Sequence, residues 1–151
     1  LARFCGGRSQ HRTSLFGVTP EYPQETEAFR DKIRAFLSDN LPAGWSGLGS
    51  LPSEDVLAFL GEWRKVLHAH RLLAPQWPEE YGGRGLTNLE TVIMYEEFAK
   101  VGAPTGGPND LFNVGMLGNT LWHWGTEEQK QHYIPRLFNS FHFFLQFAIV
   151  S

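Results

Sequence analysis

Between Trp77 and Pro104 the chain reads W-P-E-E-Y-G-G-R-G-L-T-N-L-E-T-V-I-M-Y-E-E-F-A-K-V-G-A-P, a glycine-rich loop running straight into a helix with signals at both ends. The glycines supply positions free to take positive φ, which a residue without Cβ reaches at no steric cost. Thr87 and Glu90 have the spacing of a capping box, in which the hydroxyl accepts from the amide at 90 and the carboxylate returns to the amide at 87. The helix that follows ends at Gly102. Leu89, Val92, Ile93 and Phe98 recur near a 3.6-residue period and predict its buried face. Glu90, Glu96, Glu97 and Lys100 are expected on the solvated side.

The same periodicity predicts an all-α fold, a bundle of about five helices. Phe29, Ile33, Phe36 and Leu37 place a first helix over Gln24 to Asn40, stopped before Pro42 because a proline disfavours helical geometry in the residue preceding it. Leu41 to Pro52 holds three glycines and two prolines and reads as a loop. Ser53 is the expected N-cap of a second helix whose buried stripe is Val56, Leu57, Leu60, Trp63 and Leu67. A fourth helix is expected over Leu111 to Trp124, with Gly115 and Gly118 leaving room for a close neighbour. Gly125 is expected in the left-handed conformation, Thr126 with Gln129 forms a second capping box, and Pro135 should kink or stop the fifth helix near Tyr133.

Taken in order, three stretches resemble the amino-terminal helical domain of the acyl-CoA dehydrogenases, with bacterial members nearest in wording: Leu41 to Trp45 (L-P-A-G-W), Trp77 to Thr87 (W-P-E-E-Y-G-G-R-G-L-T) and Gly125 to Lys130 (G-T-E-E-Q-K). The resemblance covers Phe29 to Phe138. It implies part of an FAD-dependent enzyme that oxidises the α,β bond of an acyl-CoA thioester. In the family the carboxylate that removes the α-proton comes from the carboxy-terminal domain in most members, and the flavin is held mainly by the middle and carboxy-terminal domains. Neither a catalytic nor a cofactor-binding residue is therefore assigned here, and the chain by itself is expected to be inactive and free of flavin. The amino-terminal domain contributes a wall of the acyl pocket, and alignment on Gly125 to Glu128 puts Phe112, Asn113 and Met116 at that wall. Some family members are heterotetramers in which one subunit type has lost flavin binding, so a non-catalytic subunit docked on a complete dehydrogenase is the alternative. A small helical binder that closes its own apolar pocket within residues 24 to 138 is a third reading.

The remainder of the chain divides by composition. Residues 1–22 are expected to be a disordered leader, residues 23–139 the helical domain, and residues 140–151 a tail. Arg3, Arg8 and Arg12 stand in an acid-free start, which also fits a mitochondrial targeting segment. The cytoplasm is the expected compartment and the mitochondrial matrix its alternative. The tail S-F-H-F-F-L-Q-F-A-I-V-S is uncharged, aromatic and β-branched, and reads as a strand at the point where the family's middle β-domain begins. The loop that follows that strand in the family reads roughly S/T-E-P-x-A-G-S-D and contacts the flavin, and Ser151 is the first residue it could match.

Charge and residue spacing exclude other chemistries. Of 13 basic residues three fall within residues 1–20, which hold no acid, leaving ten against 16 acidic groups in the remainder, too few to neutralise a phosphate backbone, so nucleic acid is no partner. No apolar run approaches the ~20 residues of a membrane span. Cys5 is the only cysteine, so neither an internal disulfide nor a cysteine zinc site can form. Gly82, Gly83 and Gly85 lack the preceding strand and the spacing of a dinucleotide fingerprint. His68 and His70 point about 200° apart on a helix and cannot share a metal. Glu79-Glu80 and Glu96-Glu97 are adjacent pairs whose side chains should diverge onto a solvated surface.

Overall fold

The computed structural model describes residues 23–139. Helix α1 is Gln24–Asn40, α2 Val56–Ala69, α3 Asn88–Val101, α4 Asn119–Trp124 and α5 Glu127–Asn139, and a π-helical segment, π1, covers Leu111–Gly118. Short 3-10 turns lie at Leu48–Ser50 and Glu79–Tyr81. No strand occurs among the described residues, and the expected leader and tail strand lie outside them.

Helices α1, α2 and α3 close on one another through an aromatic cluster. Phe36, Trp63 and Phe98 have ring centroids 5.8 to 6.3 Å apart, and Ile33, Leu37, Leu67, Ile93 and Met94 fill the space around them. The buried Trp63 keeps the hydrogen bond a buried indole requires, its Nε1 donating to the Pro104 carbonyl (2.6 Å), and the half-buried Trp45 donates from Nε1 to that of Val101 (2.8 Å). The second half joins π1, α4 and α5 to the glycine loop through Trp77, whose ring meets Phe138 edge-on at 5.7 Å.

The α3 signals hold as expected. Thr87 Oγ1 accepts from the Glu90 amide, Glu90 accepts from the Thr87 amide, and Gly102 caps the end with φ 65°. The Thr87 amide first, and then the Thr87 hydroxyl, donate to the Glu90 carboxylate and hold it below its usual range. Thr87→Ala should cost about 1 kcal/mol, the usual loss of an N-cap, measured as a lower urea midpoint with unchanged slope; an unaltered midpoint would show that the box contributes nothing. Thr126 and Gln129 form the second box on α5.

Several expectations are corrected. Helix α2 starts at Val56, not after Ser53, because residues 52–55 close a separate turn from the Asp55 amide to the Pro52 carbonyl. Leu57 is 64% exposed, bordering a groove with Gly61 and His68 instead of the core. The buried face of α3 is rotated, so that Leu89 and Val92 (49%) are exposed while Met94 and Glu97 are buried. Glu97 sits inside because Arg30 and Arg34 of α1 and Lys100 converge on it, and Glu96 does not diverge from it: both carboxylates accept from Arg30 Nη1. Gly125 has φ −72°, extended rather than left-handed; what requires glycine there is a Cβ position 2.5 Å from the Leu121 carbonyl oxygen. Finally, α5 does not stop at Pro135 but continues to Asn139. An interior proline costs about 3 kcal/mol, and here burial of Ile134, Leu137 and Phe138 together with Arg64 bonding the last carbonyls offsets it.

Candidate functional site

The expected fourth helix exists but is not uniformly α-helical. Through π1 the turns are wide, and at its end the Asn119 amide donates to Val114, five residues back, as well as to Met116. Such wide turns are rare and recur at functional sites. Side chains take up backbone carbonyls along it: Asn119 Nδ2 donates to Gly115 O (2.8 Å) and Thr120 Oγ1 to Met116 O (2.9 Å).

The three residues expected at the wall are divided by this geometry. Phe112 (45% exposed) and Met116 (59%) stand one turn apart on the open surface, forming an apolar ridge with Leu111 beside them. Asn113 is 1% exposed and faces inward, with its Oδ1 lacking a hydrogen-bond partner among the described residues. An adaptable thioether and an aromatic face on an open helix suit an irregular apolar ligand. On the other flank of π1 lies a cleft of about 470 Å³, bounded by Leu73, Trp77, Tyr95, Leu111, Val114 and Gly115.

Trp77 fixes where this ridge stands. A Cβ on Gly118 would lie 2.4 Å from the Trp77 ring, so only glycine lets the end of π1 seat on the indole, whose Nε1 donates to Asn119 Oδ1 at 2.8 Å. The glycine loop in turn is built around the Trp77 carbonyl, which accepts from the Gly85 amide and would lie 2.0 Å from a Cβ on Gly83. The amides of Gly82 and Gly83 donate to Glu79 and Pro78. All three glycine amides are thus spent within the loop and none is left for a phosphate. The described residues therefore do not fit a flavin's pyrophosphate at this loop.

A second arrangement holds the start of π1. Arg64, 8% exposed at its side chain, donates from Nε to both oxygens of Asp110 (2.8 and 2.9 Å), from Nη2 to the Leu137 carbonyl (2.7 Å) and from Nη1 to that of Phe138 (2.5 Å). Asp110 also accepts from the Gly107 amide at 2.7 Å. This junction was not anticipated from the sequence, though the signal is there: Leu60, Trp63, Arg64 and Leu67 follow i, i+3, i+4, i+7, which places a guanidinium on the buried stripe.

Among the described residues the histidines do not converge. His68 stacks on Phe138 at 4.6 Å, and its pKa is lowered first by burial and then by nearby Arg64; His70 meets Phe36 edge-on and contacts the Val66 carbonyl through Nδ1. On the far side, Tyr81 donates to Glu127, which pushes the phenol up to about 12, while Lys130 lies over the Trp122 ring at 5.0 Å. Among the described residues there is no group of three or more His, Cys, Asp or Glu that could hold a metal, and no helix long and apolar enough to cross a membrane.

Comparison with known proteins agrees with the helical architecture. Residues 23–140 match the model of the acyl-CoA dehydrogenase N-terminal domain. Acyl-CoA dehydrogenase IpdE1 of Mycobacterium tuberculosis is 37% identical over 118 residues, 76% of this chain and 30% of that protein. Acyl-CoA dehydrogenase FadE26 of the same organism is 32% identical over 118 residues, 77% of this chain and 28% of its own length. Among solved structures, the Tcur3481-Tcur3483 steroid ACAD is similar with a TM-score of 0.56 at 31% identity, covering 78% of this chain and 29% of that one. The ChsE4-ChsE5 complex from Mycobacterium tuberculosis gives 0.52 at 27% identity, covering 80% and 29%. The chain thus spans about three-tenths of the length of the relatives it matches. By its fold and by this match over residues 23–140, the chain belongs to the acyl-CoA dehydrogenase family, through the helical amino-terminal domain.

Proposed function

We propose that residues 23–139 serve as the amino-terminal wall of a flavin-dependent acyl-CoA dehydrogenase, with Phe112 and Met116 against the acyl group of the thioester and Asn113 buried behind them. The observation that carries this is the exposed pair on π1 in a domain that matches the family's amino-terminal model. The wall supplies shape and water exclusion, not proton or hydride transfer. Asp110, the carboxylate beside it, is committed to Arg64 and the Gly107 amide. FAD, on this reading, is held by the parts of the enzyme that correspond to the family's middle and carboxy-terminal domains. A cytoplasmic setting goes with the reading, supported by the bacterial relatives.

The test is a chimera in which this chain replaces the matching segment of IpdE1. Phe112→Ala and Met116→Ala should each raise KM for an acyl-CoA oxidised by the parent chimera by about tenfold, the usual effect of trimming an apolar pocket, with kcat changed far less. Unchanged KM in both variants would refute the wall.

A second reading is favoured by the assemblies of the solved relatives, two of which carry paired subunit names. In it the chain is part of a hetero-oligomer and contributes the helical face to a partner that is itself a complete dehydrogenase. Co-elution with such a dehydrogenase in size-exclusion chromatography supports it; separate elution at micromolar concentrations counts against it.

A further inference from the structure

The ridge of Phe112 and Met116 is only as well placed as the first turn of π1. The chain reaches it through the glycine- and proline-rich stretch from Gly102 to Pro108, and its first amides, those of Phe112 and Asn113, both return to the Asn109 carbonyl. Asp110 ties the turn to the body of the domain, its two oxygens meeting Arg64 Nε and the Gly107 amide. The rest of that guanidinium is spent on the carbonyls of Leu137 and Phe138, near the end of α5. Those carbonyls carry the partial negative charge of a helix C-terminus, which a cation there offsets.

We infer that Arg64 is a positioning residue that clamps the start of the acyl-wall segment π1 to the end of α5, so that the two move as one body. The inference rests on reading Phe112 and Met116 as the wall, and extends it by naming what aims them. The fork geometry matters. A planar guanidinium reaches Asp110 from one edge and two successive carbonyls from its other nitrogens, whereas the compact ammonium of lysine serves one of these groups at a time. His68, which faces the same junction from α2 and stacks on Phe138, is held on the neutral side by burial, so it adds no second cation.

The clamp is tested without any substrate, in the 151-residue chain with Cys5→Ser and spin labels at introduced cysteines. One pair, Met116→Cys with Arg136→Cys, spans π1 and α5. The other, Lys32→Cys with Ala99→Cys, spans α1 and α3 and serves as the internal reference. Arg64→Met should broaden the 116–136 distance distribution by about twofold or more, as expected when a local tie opens without global unfolding, and leave the 32–99 distribution as it was. Asp110→Asn should broaden the same pair to a similar or smaller degree, and provides the test should Arg64→Met fail to fold. Arg64→Lys should restore part of the lost order. An unchanged 116–136 distribution in both Arg64→Met and Asp110→Asn overturns the proposal, and so does equal broadening of both pairs, which would make Arg64 a contributor to overall stability only. Because no ligand is used, the clamp can fail while the wall stands, and the wall can fail while the clamp stands.

Discussion

Gly83→Ala is expected to leave the domain largely unfolded under conditions where the natural sequence is folded. The added Cβ would stand 2.0 Å from the Trp77 carbonyl oxygen and 2.4 Å from its carbon. These are backbone atoms, so no rotamer change relieves the clash. That carbonyl accepts from the Gly85 amide at 2.8 Å, and Trp77 carries the indole on which Gly118 and Phe138 pack. Shifting it disturbs the loop, π1 and α5 together. A loss of about 3–5 kcal/mol follows, at the upper end of overpacking effects. Gly85→Ala is the control. Gly85 has φ +64°, but a Cβ there meets nothing within 4 Å, so only the left-handed strain of about 1–2 kcal/mol applies. Urea denaturation followed by far-ultraviolet circular dichroism separates the two, and equal losses would contradict the close-approach account of Gly83.

Glu97→Gln is expected to be nearly as severe, for an electrostatic reason. Glu97 is 4% exposed and accepts from Arg30, Arg34 and Lys100, while Arg30 is itself buried between α1 and α3. Removing one partner of a buried ion pair leaves the others uncompensated and typically costs about 3–5 kcal/mol. Burial alone would raise the Glu97 pKa, yet the bonds from Lys100, Arg34 and Arg30 outweigh it and hold the group at about 2, against 4.5 when unfolded. The folded value is the lower one, so the unfolded state takes up the proton first. This stabilisation is therefore present above pH 4.5 and is lost as the pH falls from there toward 2. The natural chain should lose stability steeply across that window, and Glu97→Gln should flatten the loss. An acid limb of the same slope in both would assign acid unfolding to other carboxylates.

Both predictions rest on features that differ in how far they could be read from the sequence. Several local signals were legible, though Ser53 and Gly125 did not take the cap roles expected of them. The first helix ends at Asn40 before Leu41-Pro42, and both capping boxes form where Thr stands three residues before Glu or Gln. The glycine loop was legible as a turn, but its reason was only half legible. Gly82, Gly85 and Gly102 take positive φ, whereas Gly83 and Gly118 are glycines because Trp77 leaves no room for a Cβ, which is a fact of packing. What escaped the sequence are the places where a charged side chain replaces an apolar one in the core. Glu97 and Arg64 lie at buried positions of α3 and α2 because their partners arrive from sequence-distant segments, Arg30 from α1 and Asp110 from the turn before π1. The run through Pro135 is of the same kind, since Arg64 supplies bonds to the end of α5 that no local rule anticipates. At the proposed wall, alignment selected a segment whose wide π turns then sort its members, with Phe112 and Met116 outward and Asn113 inward.

The measurement that bears most directly on the role of this domain is photoaffinity labelling of the IpdE1 chimera with an acyl-CoA carrying a photoreactive group at the far end of its acyl chain. After irradiation and digestion, the account predicts the label on the peptide that holds Phe112 and Met116, and competition by unlabelled acyl-CoA. Label confined to other peptides of a chimera that still oxidises the thioester would contradict it.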